Sequence, residues 1–579
     1  MATVTRRYGS DVIADMLELF DIPFASLNPG ASYRGLHDSI VNYKGNKPEI
    51  IECPHEKVAV TLAHGYARAA GRPMAAILHN LVGLLHGTMG IYYAYTDQAP
   101  VLVLGASGPF DTTRRRPGID WRHTSMDQGA VVREYTKWDD QPYNAACVPE
   151  TVARGYRIAN TAPMGPVYLC FDAALQEDLL DHDVPLPDVS RMLIPDPVAP
   201  NPQALQRVAE MLVKAQRPVI MAEYVGRNPE VVPQLVELAE LLAIPVMDLG
   251  TRMNFPNQHP LALSGADVLP DADLVLALDV KSLEMPLVRT NRITREKESI
   301  IPQNCKLVDM SLRDIGISAW THDYDRMLEL DELVIADTRV AIPQLLDACR
   351  TLMSRNGGAQ RQERADRLRA LHNAAQERAQ EQARADWDLK PISTARLAGD
   401  VWDVIKDEDW VHCGGTVNGW THKLWNYTDP SQWPGSGLGT GTGFSLSLGV
   451  GLAHRGDDRL VISMGQDGDL CFDAAALWVA THHKIPMLMV MFNNRAYYND
   501  WEHQETIARE RGRSEEMAYL GLEINDPPPD FATLGRAFGW YGDGPIEDPN
   551  AIKPAVEKAL KVVKETGQPA IVDVICRPR

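Results

Sequence analysis

The sequence predicts an α/β protein of three consecutive domains with mostly parallel sheets. Short apolar runs of strand length alternate with segments of helical spacing along nearly the whole chain, the pattern of strands joined by crossover helices. At 579 residues the chain exceeds what one core accommodates, and about 150 residues per domain allows three or four. Two stretches break the alternation. Residues 177–202 are rich in Pro and Asp without steady periodicity, and 359–386 are dense in Arg, Glu and Gln and read as an exposed connecting helix. The expected domains are therefore 1–180, 201–350 and 388–579.

In the first domain, 10–20 has helical apolar spacing, 24–27 reads as a strand ending at the turn Asn28-Pro29-Gly30, and 48–52 as another strand. His55-Glu56 opens an Ala-rich helix that runs through Arg68 and stops near Gly71-Arg72-Pro73, and 75–78 and 100–104 are further strands. The middle domain shows strands at 217–221, 244–246, 273–278 and 306–309. In the third, a strand beginning near Val411 runs into a loop through Asn418. Glycine recurs at alternate positions from 435 to 443 before a helical run, 444–453. A strand at 459–464, a turn Gly465-Gln466-Asp467-Gly468-Asp469, a helical segment 473–483 and a strand 485–492 ending at Asn493-Asn494 follow. Residues 495–513 are polar; helices at 531–538 and 552–563 and a strand at 570–574 complete the chain.

Lys+Arg 57 against Asp+Glu 77, a formal net charge of −20, disfavours nonspecific nucleic-acid binding. Eight cysteines with no Cys-x-x-Cys pair argue against a disulfide scaffold or structural zinc and fit a reducing compartment. The N-terminal stretch lacks the apolar centre of a signal peptide and no run is long and apolar enough to span a bilayer, so a cytoplasmic protein is expected.

The chemistry concentrates at 465–499. Two parallel strands joined by a right-handed crossover would bring Asp467 and Asn494 to one carboxyl edge of a sheet, where open α/β sheets bind ligands. A carboxylate, an amide oxygen and the carbonyl of Ala496 are three hard oxygen donors suited to Mg2+, with phosphate oxygens and water completing an octahedron. Gly465 and Gly468 allow a close approach to phosphate.

These residues resemble the thiamine-diphosphate-dependent enzymes of the acetolactate synthase and 2-oxo-acid decarboxylase superfamily. Their signature is Gly-Asp-Gly followed by a later Asn-Asn; here Asp467 precedes Asn494 by 27 positions, and Gln466 replaces the first glycine. The segment HEKVAVTLAHGYARAAGRP is similar to the family's His-Glu, Gly-Tyr-Ala-Arg and Gly-Lys-Pro pattern. The resemblance implies a thiamine-diphosphate-binding fold, with a pyrimidine-binding first domain and a diphosphate-binding third. The implied cofactors are thiamine diphosphate and Mg2+; FAD or an adenine nucleotide in the central domain stays open, since no specific adenine signature is present.

Carried over residue by residue, the resemblance implies Glu56 as the acid that hydrogen-bonds the aminopyrimidine. His79 matches an active-site His of benzoylformate decarboxylases, and Asp500 the place of a catalytic Glu in pyruvate decarboxylases. The implied metal ligands are Asp467, Asn494 and Ala496, and the implied cofactor contacts Thr416, Asn418, Thr440, Thr442, Gly468, Asp469 and Tyr497. Ala31, Asn80, His123 and Gln128 are candidate substrate contacts, and His86 stands where the family has a small or amide residue. Thr442 occupies the position of a bulky apolar wedge and supplies only a smaller one, so either the cofactor pocket differs here or a neighbour such as Leu438 does the pressing. The implied activity is acetolactate-synthase-like carbon–carbon bond formation or cleavage on a 2-oxo acid. A simple aldehyde-releasing decarboxylase and an acyloin- or diketone-cleaving lyase are the alternatives, and a non-enzymatic binding protein the different class. In the family the acid of one subunit serves a neighbour's diphosphate, so at least a homodimer, and a homotetramer by expectation, is implied.

Overall fold

The computed structural model describes residues 6–264, 267–316, 326–353, 359–437 and 439–578 and contains three parallel sheets. The first has strand order Glu49–Glu52, Phe24–Leu27, Ala75–Ile77, Leu102–Ser107, Val167–Asp172, Trp138–Asp140. The second runs Glu332–Ile335, Lys306–Ser311, Leu274–Leu278, Pro218–Ala222, Val246–Asp248. The third runs Trp410–Gly414, Leu460–Gln466, Leu488–Asn493, Ala570–Ile575, Tyr541–Ile546. The central strands are buried on both faces, which is why they read as continuous apolar runs rather than alternating ones.

Two crossed helices join the first and third sheets. The helix Glu56–Ala70 and the helix Gly443–Ala453 belong to one apolar cluster that includes Leu62, Leu446 and Leu448. Their backbones nearly touch: a Cβ on Gly65 would lie 2.0 Å from the Leu446 carbonyl oxygen, and one on Gly449 would lie 2.0 Å from that of Leu62. Arg68, one turn beyond Gly65, donates to the carbonyls of Ser436 (2.9 Å) and Thr251 (3.0 Å), so its guanidinium ties together loops from the second- and third-sheet parts of the chain.

Several elements depart from the expectation. The 473–483 helix is broken: a helix begins at Asp467 and ends at Phe472, a 3-10 turn spans Ala474–Ala476, and a second helix runs Leu477–His482. Between the strands expected at 75–78 and 100–104, where no element was assigned, a helix runs Val82–Thr96, and the polar stretch after Asn494 contains the helix Tyr498–Glu510. The edge strands Trp138–Asp140 and Tyr541–Ile546 are only half buried and lack a strong apolar signal. The charged helix Ala359–Ala385 does bury Leu368 and Ala383. Among the described residues no helix is long and apolar enough to cross a membrane.

Candidate active site

The strands Leu460–Gln466 and Leu488–Asn493 are parallel neighbours with Gln466 opposite Phe492, so Asp467 and Asn494 emerge side by side at the carboxyl edge of the third sheet. They line a cavity of about 360 Å3 together with Ala496, Asn418, Thr440, Gly468, Asp469, Tyr497 and Asp500. Asp467 is 3% exposed; its Oδ1 accepts from the Gly468 N–H at 2.8 Å, while Oδ2 has no hydrogen-bond partner among the described residues. Burial pushes its carboxyl up to about 6, against the hydrogen bonds it accepts. An orphaned carboxylate oxygen in a polar cavity beside an amide oxygen fits a hard divalent cation, whose charge would offset that burial. The Asn494 oxygen accepts from the Ala496 N–H at 3.0 Å, bending the chain back toward the cavity.

Two of the expected cofactor contacts have other occupations. Asp469 accepts from the N–H groups of Gly441 (2.7 Å) and Gly443 (2.9 Å), so both its oxygens tie down the glycine-rich loop. Thr442 is 1% exposed and donates to the Gly439 carbonyl at 2.7 Å; it braces the loop from beneath and lines neither this cavity nor its neighbour. Leu438, the other candidate wedge, lies outside the described residues. Thr416 lines the neighbouring cavity of about 150 Å3, and its hydroxyl accepts from the Gly419 N–H. Val417 and Asn418 both hold positive φ, 50° and 55°, costly for a β-branched residue and a frequent mark of functional loops. A Cβ on Gly468 would meet the Tyr497 ring at 2.6 Å, so glycine there lets the ring close over the turn. Asp500 is exposed in the first turn of its helix.

Across the crossed helices sits a second cluster. His55 caps the acid helix by accepting from the Lys57 N–H at 3.0 Å, and Glu56 follows, 6% exposed, 3.1 Å from His86 Nδ1. Gly83 separates Glu56 from His79: a Cβ there would lie 3.0 Å from the Glu56 Oε1 and 2.8 Å from the His79 Cβ. His79 Nδ1 is 2.8 Å from Ser32 Oγ, which also accepts from the Asn80 N–H at 3.0 Å. Burial and then His123, with ring centroids 5.4 Å apart, push His79 below its ordinary value, so the imidazole is neutral at pH 7. Asn80 is fully buried and its amide has no hydrogen-bond partner among the described residues. Ala31 is exposed on the turn beside Ser32. Gln128, at 0% exposure, donates to the Ala106 carbonyl (2.6 Å) and accepts from the Leu81 N–H (3.0 Å), so it holds the start of the loop.

The link between the clusters is a residue that sequence reasoning missed. Lys57 pairs with Asp473 at 2.7 Å, lies 3.4 Å from the Thr440 carbonyl and sits over the Phe472 ring, while Tyr93 reaches the Thr440 hydroxyl at 2.9 Å. The end of the acid helix thus meets the glycine-rich loop within one chain. Ser32 and Pro578, whose carbonyl accepts from Asn418 at 3.0 Å, were also missed; neither carries a signal beyond its neighbours in the motif.

Three family models match the chain in order: the N-terminal TPP binding domain of thiamine pyrophosphate enzymes over 7–131, their central domain over 205–313, and their C-terminal TPP binding domain over 414–574. A Methanocaldococcus jannaschii protein named "Probable acetolactate synthase large subunit" is 23% identical over 98% of this chain and 92% of its own. The benzoylformate decarboxylase of Pseudomonas aeruginosa is 24% identical over 90% of each. The crystal structure of benzoylformate decarboxylase from Polynucleobacter necessarius superposes with a TM-score of 0.75 at 17% identity, covering 99% of both chains, a likeness of fold. With the three models in sequence along one chain, this protein belongs to the thiamine pyrophosphate enzymes of the acetolactate synthase and 2-oxo-acid decarboxylase superfamily.

Proposed function

We propose that the chain is a thiamine-diphosphate- and Mg2+-dependent enzyme that makes or breaks a carbon–carbon bond next to the carbonyl of a 2-oxo acid, in the manner of the acetolactate synthases. The observation that carries this reading is the orphaned, buried Oδ2 of Asp467 beside Asn494 in the 360 Å3 cavity. Asp467, Asn494 and the Ala496 carbonyl would hold the metal, and the Thr416–Asn418 turn, Thr440, Gly468 and Tyr497 the diphosphate. Glu56 would hydrogen-bond the aminopyrimidine. When bound, the cofactor supplies a nucleophilic ring carbon and an electron sink for the bond that breaks. The chain's own residues then orient the substrate, exclude water and handle protons. His79, neutral at pH 7 and braced by Ser32, is suited to exchanging a proton with a substrate oxygen.

That same imidazole favours a second reading, a simple decarboxylase releasing an aldehyde, in which His79 and the exposed Asp500 are proton donors. The names of the relatives include both chemistries. Assembly as a homodimer or homotetramer belongs to the proposal, although the contact of Lys57 with Thr440 and Asp473 supports a site completed within one chain as well. The test is a panel of 2-oxo acids offered to protein reconstituted with thiamine diphosphate and Mg2+, reading carbon dioxide, free aldehyde and acyloin separately. Acyloin as the main product supports ligation, and aldehyde alone the second reading. Absence of all three across the panel, with the cofactor bound, would refute both.

A further inference from the structure

We infer that the side-chain amide of Gln466 binds the cofactor's diphosphate, supplying N–H donors that the glycine turns around it do not offer, an inference that rests on the thiamine diphosphate reading of the site. Among the described residues Gln466 is the one side-chain amide that lines both the cavity of about 360 Å3 and its neighbour of about 150 Å3. It ends the strand Leu460–Gln466 immediately before Asp467, and its amide lies against Gly415, just past the paired strand Trp410–Gly414: a Cβ on Gly415 would stand 3.1 Å from Gln466 Nε2. The Gly415 peptide is itself fixed on both sides. Its N–H donates to the Met464 carbonyl at 2.7 Å, and its carbonyl accepts from Nε2 of the fully buried His412 at 3.0 Å. The Gln466 amide makes no hydrogen bond to the described residues.

A diphosphate presents acceptor oxygens, which donors or cations must meet. Among the described residues no Lys, Arg or His lines either cavity, whereas Asp467, Asp469 and Asp500 do. One divalent cation does not offset three acidic side chains and a diphosphate together, so neutral donors must satisfy the remaining oxygens. The glycine turns are a poor source of them. The N–H groups of Gly441 and Gly443 donate to Asp469, that of Gly468 to Asp467 and that of Gly419 to the Thr416 hydroxyl, so these donors, like that of Gly415, are turned toward the protein. The Asn418 amide donates to the Pro578 carbonyl. Gln466 remains, a primary amide with two N–H donors on a side chain that borders both cavities. Its departure from the glycine of the family signature thus adds a contact to the ligand in a site that lacks cationic side chains.

The test titrates the full chain by calorimetry with two ligands in the presence of Mg2+, thiamine diphosphate and inorganic pyrophosphate. Pyrophosphate reads the phosphate donors of the third domain alone, whichever chain supplies Glu56. Gln466→Leu keeps the bulk of the side chain without its donors, and Gln466→Glu keeps its shape while replacing the amide by a further acid. Gln466→Leu should weaken both ligands by roughly 10-fold or more, the scale of a hydrogen bond to a charged group, and Gln466→Glu should weaken both further. Amide hydrogen exchange of the strand Leu460–Gln466 without ligand should be parental in both variants, which separates a lost donor from lost structure. Faster exchange in both would make Gln466 a support of the strand and overturn the inference. Parental affinity in Gln466→Leu would overturn it too, and so would a loss for thiamine diphosphate with none for pyrophosphate, which would move the contact to the cofactor's rings. A parent protein that binds neither ligand would instead overturn the cofactor reading, and this contact with it.

Discussion

Replacing Asp467 by Asn should make the cofactor-free protein more stable and disable the proposed metal site. Burial raises this carboxyl from its ordinary 3.8 to about 6. A shift of about 2 units costs about 3 kcal/mol when the group is ionised at neutral pH. The sign follows from proton binding: between pH 3.8 and 6 the folded state holds the proton more tightly than the unfolded one. The contribution is therefore favourable below 3.8, is lost as pH rises through about 6, and is fully lost above it. Asn keeps an oxygen for the Gly468 N–H and carries no charge, so Asp467→Asn should gain about 3 kcal/mol at pH 7.5 and almost nothing at pH 4. In thiamine diphosphate and Mg2+ at about 100 times Kd the parent should recover about 2.7 kcal/mol through binding, and the variant none. Amide hydrogen exchange of the strand Leu460–Gln466 at pH 7.5, with urea unfolding at both pH values, reads the stability of the third sheet where a whole-chain melt would mix domains. A variant less protected than the parent without cofactor, or a gain of equal size at pH 4 and 7.5, would refute the argument that Asp467 is strained by burial for a cation.

Gly65→Ala drives a methyl into the Leu446 carbonyl and should cost about 3 kcal/mol by forcing the crossed helices apart, read as faster limited proteolysis between the first and third sheets; a parental melting profile would count against the close crossing. Lys57→Met leaves Asp473 as an uncompensated charge and should cost about 3 kcal/mol, most of it recovered by adding Asp473→Asn; additive effects in that double-mutant cycle would mean the 2.7 Å pair is not coupled. His79→Ala and Asp500→Asn should each slow aldehyde release by roughly 10²-fold while carbon dioxide release suffers less and any acyloin fraction rises. Equal losses in both products, resolved in single turnovers, would move these residues to an earlier step.

Much of the fold was legible because it depends on local pattern. The buried strands of all three sheets announce themselves as apolar runs, and the Asp467–Asn494 spacing needs only two adjacent parallel strands to bring both residues to one edge. The helix Tyr498–Glu510 was not legible, since a polar helix buried along little of its length carries no periodic signal. Nor was the break after Phe472, where a helix begins within the Gly465–Asp469 turn itself instead of after it.

The sequence by itself determined the fold class, the order of the sheets and which residue types stand at the carboxyl edge, because strand and helix periodicity and motif spacing are properties of neighbours along the chain. Only the tertiary structure decided what each side chain is free to do. Asp469 and Gln128 read as ligand contacts in a motif, yet each is engaged by backbone that comes from elsewhere in the fold, and Thr442 is engaged by the Gly439 carbonyl three residues back. Conversely Asp467 has an oxygen left over, and Glu56 has His86, 30 residues away in sequence and 3.1 Å away in space. A hydrogen bond is a matter of distance and desolvation between groups that packing brings together, and sequence spacing encodes neither.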